Sequence, residues 1–316
     1  MVGTIKYLCL AILFVLPNVT HAAKCLYVSS YHQGYEWNDG IEKGLEKELA
    51  GRCELKKIYL DTKRNPKKEW ARWKAKQAYQ VITEYKPDVV IVSDDNASRY
   101  LVMPYLKNKD IPVVFCGLNW SMKEYGYPYK NITGMIEIAP IKPLIKELKL
   151  LSRKPGRGLY LSSDVITEHK DYSYYKKVFS KNGIKLDAVF VRSFRRWISE
   201  FRKAQRYDFV FLGNNAGIND WYKPEAIRIV NKYTKKVGVT TYKWMLPYVS
   251  LALTKIPEEQ GEWSARAALS ILDGMSPSQI PIVYNRYWDI WINLSLIRRI
   301  KLKLPYALYK RAKQYR

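Results

Sequence analysis

A chain of 316 residues has room for two domains or one large one, and 47% hydrophobic with 26% charged residues suffices for full cores. The 54 Lys+Arg against 29 Asp+Glu give a net charge of +25. A nucleic-acid binder would gather this charge into one stripe or motif. Here it is spread over most predicted helices (Lys43, Lys47, Lys74, Lys76, Lys146, Lys149, Lys176, Lys177), so it reads as a solvated basic surface with no nucleic-acid partner.

The start reads as an export signal, residues 1–22. Lys6 precedes an apolar run over 7–16, and Thr20-His21-Ala22 sets small residues where a signal peptidase tests them. Cleavage after Ala22 and a periplasmic location are expected. The run is too short to span a bilayer; a retained membrane anchor is the alternative. A lipid on Cys25 is disfavoured, because Lys24 stands where a small residue is needed.

After the signal, one pattern occurs twice: a short β-branched strand, a polar and aromatic turn, then an amphipathic helix. Strands are predicted at 25–30, 55–61, 88–93 and 113–117, then at 158–163, 188–193, 209–213 and 237–242. Helices are predicted at 39–49, 66–86, 97–107 and 140–151, then at 167–182, 195–205, 224–235 and 257–273. Pro87 and Gly274 act as stops, and Pro257 with Glu258 and Glu259 suits a helix start. A last strand at 280–287 and a helix at 293–301 follow. The fold class is α/β: two Rossmann-like lobes with parallel sheets and a ligand cleft between them. The first lobe is expected over 23–136 plus about 246–278, the second over 137–245 plus about 279–316.

Cys9 leaves with the signal. Cys25 and Cys53 open the first two strands, which are neighbours in a sheet of order 2-1-3-4-5. In an oxidising compartment they can form a disulfide; two buried thiols are the alternative. Cys116 lies inside an apolar strand and reads as an inert buried thiol.

Ligands of open α/β sheets sit beyond the carboxyl ends of the strands. The candidate ligand residues are therefore the strand-end side chains: Tyr31, His32, Tyr35, Trp37, Asp94, Asp95, Asn96, Asn119 and Trp120 in the first half. Ser162, Ser163, Asp164, Asn214, Asn215, Tyr242 and Trp244 are those of the second. Aromatic faces grip flat or cationic solutes, and Asn and Ser fix amide, carboxylate or hydroxyl groups. Each has a plainer reading as packing or turn chemistry. Asp94 and Asp95 suggest an ammonium site, whereas Asp95 also suits a helix cap. An amino acid fits best, its carboxylate held by Ser162, Ser163 or backbone N–H groups. His32 and His169 have no metal-ligand spacing, and no phosphate-cradling loop, nucleophile elbow or zinc-protease motif occurs. No metal, cofactor or catalytic residue is expected.

The ending resembles periplasmic solute-binding proteins of ABC importers, in the branch that includes tryptophan and phenylalanine binders. The residues that carry it are Asn293-Leu294-Ser295-Leu296, Ile300 through Pro305 and Leu308-Tyr309-Lys310-Arg311-Ala312, with 88–93, 112–119 and Ile132-Thr133-Gly134 upstream. Arg299-Ile300-Lys301 stands where that branch has a glycine. The resemblance implies a type I binding-protein fold, three crossovers, a small-molecule ligand, a monomer and a membrane permease partner. The alternatives are a ligand sensor acting through a membrane kinase or cyclase, and an exported enzyme.

Overall fold

The computed structural model describes residues 23–152 and 154–315. The expected export signal, with Cys9, lies outside the described residues. Among the described residues thirteen strands form: β1 (Ala23–Ser29), β2 (Cys53–Tyr59), β3 (Val89–Ser93), β4 (Val113–Asn119), β5 (Ile132–Glu137), β6 (Arg157–Ser163), β7 (Lys185–Val191), β8 (Phe209–Leu212), β9 (Val237–Thr240), β10 (Leu251–Lys255), β11 (Val283–Tyr284), β12 (Trp288–Asn293) and β13 (Lys313–Tyr315). They assemble into a six-stranded sheet of order β11-β5-β4-β3-β1-β2 and a seven-stranded sheet of order β13-β12-β10-β9-β8-β6-β7. Every named pairing is parallel except β10 with β12. The central strands are largely apolar, as β3 (VVIVS) illustrates, because helices cover both faces of a parallel sheet.

The helices are α1 (Glu36–Leu49), α2 (Lys68–Tyr85), α3 (Asp94–Ala97), α4 (Ile141–Leu151), α5 (Ile166–Lys181), α6 (Phe194–Ala204), α7 (Lys223–Tyr233), α8 (Pro257–Leu272), α9 (Leu294–Arg299) and α10 (Tyr306–Arg311). After α3 the chain runs as a π-helical stretch, Ser98–Leu106. α1 and α8 approach at backbone distance. A Cβ on Gly44 would sit 2.4 Å from the Glu258 carbonyl oxygen, and one on Gly261 would sit 2.0 Å from that of Ile41. Only glycine fits there.

Cys25 and Cys53 form a disulfide with Cα atoms 5.9 Å apart, stapling β1 to β2. Cys116 is a buried thiol, and burial pushes its pKa upward.

The chain crosses between sheets three times: after β5, after β10 and after β11. The expected return to the first lobe at about 246 is therefore displaced. Residues 251–255 form β10 of the second sheet, held by β9 and β12, and the return falls at Pro257, the first residue of α8. The strand expected over 280–287 shrinks to β11, which pairs with β5 and so belongs to the first sheet. The antiparallel β12 was missed as a strand of its own; it closes the second sheet beside β10.

Candidate ligand-binding cleft

The carboxyl ends of the two parallel sheets bear the side chains predicted from the strand ends. On the first lobe, β3 ends at Ser93, and Asp94 then takes a left-handed backbone, φ +68°. For a non-glycine residue this is strained and is tolerated only where the surroundings enforce it. The enforcement is visible. Asp94 Oδ1 accepts from Trp37 Nε1 at 3.0 Å, and Oδ2 accepts from Asn38 Nδ2 at 2.8 Å. Asp94 is 2% exposed. Burial raises its pKa to about 6, the Asn38 bond opposing and the Asp95 charge adding. Asp95 accepts from Asn119 Nδ2 at 2.8 Å and from the Tyr125 hydroxyl. Asn96 donates to Thr62 Oγ1 at 2.7 Å.

In front of this wall, Tyr31 and Tyr35 meet edge to face with centroids 5.1 Å apart, and the Lys63 ammonium lies 4.8 Å from one ring and 5.1 Å from the other. His32 faces Asp61 across 3.6 Å, and its Nδ1 has no hydrogen-bond partner among the described residues. At the crossover, Lys255 at the end of β10 pairs with Glu137 at the end of β5, and its ammonium lies 5.1 Å from the Trp37 ring. Burial lowers the Lys255 pKa to about 8, with Asp94 and Asp95 opposing and the Lys63 charge adding to the depression.

The second-lobe wall is built around Glu168, in the first turn of α5. It accepts from the Tyr160 hydroxyl at 2.6 Å, the Tyr242 hydroxyl at 2.7 Å, the Asn214 backbone N–H at 2.9 Å and the Ser162 hydroxyl. Asp171, one turn on, accepts from Trp120 of the first lobe at 2.7 Å and lies 2.9 Å from the Tyr242 hydroxyl, competing with Glu168 for its single proton. Burial, with the Glu168 charge adding, raises the Asp171 pKa to about 6. Ser163 Oγ is buried without a hydrogen-bond partner among the described residues. Two further ion pairs tie the lobes together, Lys170 to Glu124 at 2.6 Å and Lys243 to Glu36 at 2.5 Å.

Several sequence expectations change on this geometry. Ser162 does not face outward for a ligand carboxylate, because Glu168 already occupies its hydroxyl. Asp164 is a surface ion-pair centre, bonded to His169 at 2.8 Å and Arg192 at 2.8 Å. Asn214 and Asn215 shape their own loop: Asn214 Oδ1 accepts from Ala216 N, and the Asn215 carbonyl accepts from Ile218 N. Trp244 is 44% exposed, 4.8 Å from Tyr242. Asp95 has no capping bond, since α3 starts at Asp94 without a side-chain cap. Sequence reasoning missed Lys63, Glu137, Glu168, Asp171 and Lys255. For Glu168 and Asp171 the signal was their i, i+3 spacing on one helix face. A surface hollow lined by Lys24, Lys86 and Asp88 lies at the opposite ends of the strands and gathers none of these residues.

The described residues form two lobes with a cleft between the carboxyl ends of their sheets, the architecture of type I periplasmic binding proteins. Solved structures with this fold cover the chain almost throughout. A ligand-free, open substrate-binding protein with adhesive properties from Clostridium difficile matches with a TM-score of 0.73 at 14% identity, covering 93% of this chain and 99% of that one. An ABC domain in complex with L-Trp from Streptococcus pneumonia gives 0.67 at 16% identity, with 93% and 99% covered. A conserved domain protein from Vibrio cholerae gives 0.64 at 16% identity with the same coverage. No protein-family model and no curated protein matches the chain. No helix of the described residues is long and apolar enough to cross a membrane.

Proposed function

We propose that this protein is an exported, non-catalytic binder that captures a small organic solute between its lobes and delivers it to the permease of an ABC importer. The observation that carries the reading is that aromatic and polar side chains follow the carboxyl ends of both sheets, Trp37, Asp94 and Asn119 on one lobe and Tyr242 and Asp171 on the other, with Trp120 bonded to Asp171 from lobe to lobe. A solute touching both walls has a higher affinity for the closed form, so binding shifts the lobes toward closure. Export is supported by the Cys25–Cys53 disulfide, a bond that persists in oxidising compartments. A binding role rather than an enzymatic one is supported by the carboxylates: Asp94, Asp95, Glu168 and Asp171 are each engaged by internal donors. The L-Trp held by the pneumococcal structure supports an organic solute of that size.

The test is a thermal-shift screen of the purified protein against amino acids, aromatic acids and amines, nucleobases and sugars. A ligand at a hundred times its Kd stabilises by about 2.7 kcal/mol, well above detection. Small-angle scattering with the hit is expected to show the radius of the closed form. A screen without any hit would remove the reading.

A further inference from the structure

In a parallel α/β lobe the connections from helix back to strand gather at the amino ends of the strands, the pole opposite the cleft. On the first lobe this pole is balanced. Between α1 and β2, Lys47 and Arg52 stand against Glu46 and Glu48. Between α2 and β3, Lys86 stands against Glu84 and Asp88. Between the π-helical stretch and β4, Lys107 and Lys109 stand against Asp110.

The second lobe breaks this balance. The junction from α4 to β6 carries Lys149, Lys154 and Arg157, and that from α5 to β7 carries Lys181 and Lys185. The junction from α6 to β8 adds Arg202, Lys203 and Arg206 beside Asp208. That from α7 to β9 adds Lys232, Lys235 and Lys236. β12 runs antiparallel to β10, with Ile292 beside Leu251, so the chain leaves it at the same pole and brings Arg298, Arg299, Lys301 and Lys303. Among the described residues fifteen basic side chains thus meet one acidic one, where the first lobe sets five against five. Asp187 pairs with Arg157 and Lys185, and Glu200 with Lys203; the other twelve form no ion pair among the described residues.

These segments make one continuous surface, because each is bonded to a neighbour. Lys149 Nζ donates to the Asn182 carbonyl oxygen at 3.3 Å, and the Gly156 and Arg157 N–H groups donate to Asp208 at 2.9 and 2.8 Å. Gln205 Oε1 accepts from the Lys235 N–H at 2.9 Å, and Arg299 donates to the Lys232 carbonyl oxygen. Cations in a last helical turn suit the macrodipole. That reason applies equally to the first lobe, so the fold does not require the excess. Crowded like charge costs the free protein self-repulsion, which an anionic surface relieves. Leu150, in the last turn of α4, and Tyr306, just beyond Lys303, are exposed. Apolar and tyrosyl side chains among Lys and Arg suit the boundary between phospholipid headgroups and acyl chains. A nucleic-acid backbone offers Leu150 no apolar region to enter.

We propose that this pole of the second lobe docks the protein on an anionic phospholipid surface. Lys and Arg side chains meet the headgroups, and Leu150 and Tyr306 enter the interface. The cleft, at the other ends of the strands, stays accessible to solute. The attachment is electrostatic, so salt reverses it.

Co-sedimentation of the purified protein with vesicles tests this. Vesicles of phosphatidylcholine alone are compared with vesicles holding about 30% phosphatidylglycerol, at about 0.1 M and about 0.5 M NaCl. Binding is expected on the anionic vesicles at low salt and not on the neutral ones or at high salt. The variant Lys235→Glu/Lys301→Glu/Lys303→Glu should bind at least about tenfold more weakly. Lys76→Glu/Lys109→Glu/Lys130→Glu changes the net charge equally on the first lobe and should bind as the parent does. All six positions are exposed, and unfolding midpoints check that both variants fold. No binding to anionic vesicles overturns the proposal, as does equal binding to neutral ones. Equal losses in the two variants would show a diffuse charge effect without a docking pole. Binding to a random-sequence DNA duplex without binding to anionic vesicles would give the pole to nucleic acid instead.

Discussion

Trp120 of the first lobe donates its indole N–H to Asp171 of the second at 2.7 Å, and its ring lies flat on Tyr174, centroids 4.6 Å apart and planes 6° from parallel. Trp120 also holds a left-handed backbone, φ +65°, with its N–H bonded to the Glu137 carbonyl oxygen at 3.0 Å. One residue at the end of β4 thus fastens the first lobe to α5 of the second. Opening the cleft breaks an aromatic stack and a charge-assisted hydrogen bond together, each worth about 1 kcal/mol or more.

Trp120→Ala is accordingly expected to shift the unliganded protein toward its open form. Small-angle scattering of the variant should give a larger radius of gyration than the parent, with the difference removed by a saturating ligand. Equal radii without ligand would show that the stack does not hold the lobes.

The Lys255–Glu137 pair is buried, with side chains 19% and 5% exposed. Breaking such a pair from one side leaves an uncompensated charge and costs about 3–5 kcal/mol, whereas replacing both partners with apolar residues is close to neutral. Lys255→Met and Glu137→Met should each lower the urea midpoint strongly, and the double variant should recover most of the loss. A double variant as unstable as the sum of the singles would contradict this account.

The disulfide closes a loop of 28 residues. Chain-entropy arguments put its contribution at about 3–4 kcal/mol. The Cys25→Ser/Cys53→Ser variant should unfold at a correspondingly lower urea concentration. Reducing agent should destabilise the parent and leave the variant unmoved.

Asp171 makes a pH dependence of definite sign. Its folded pKa, about 6, lies above the ordinary value of 3.8. The folded state therefore holds a proton that the unfolded state has lost. The associated stability is fully present below about pH 4 and disappears as pH rises through 6. A shift of this size corresponds to an amount on the order of 2–3 kcal/mol. Asp171→Asn lacks this loss, so its stability relative to the parent should rise between pH 4 and pH 7. A constant difference across that range would refute the assignment.

The sequence alone carried the repeated strand–turn–helix pattern, because period and turn chemistry are local. β3 is a β-branched run bounded by Pro87 and Asp94, and either boundary is visible without a structure. The pairing of Cys25 with Cys53 was legible for a related reason: both lie near the start of strands that a doubly wound order makes neighbours. β10 was not legible. Leu251-Ala252-Leu253 is a short apolar run that suits several element types, and only its pairing with β9 and β12 decides.

The loops that would carry ligand chemistry were legible for the same local reason, since Asn, Ser and aromatic residues gather at strand ends. What each side chain does there belongs to the tertiary structure. Glu137 and Lys255 meet across 118 residues of sequence, and Trp120 and Asp171 across 51. No local pattern records such partners. The adjacent pair Asp94-Asp95 reads as an open ammonium site in one dimension. In three dimensions each carboxylate already accepts two hydrogen bonds, Asp94 from Trp37 and Asn38 and Asp95 from Asn119 and Tyr125, because a charge removed from water must be bonded by whatever folds against it.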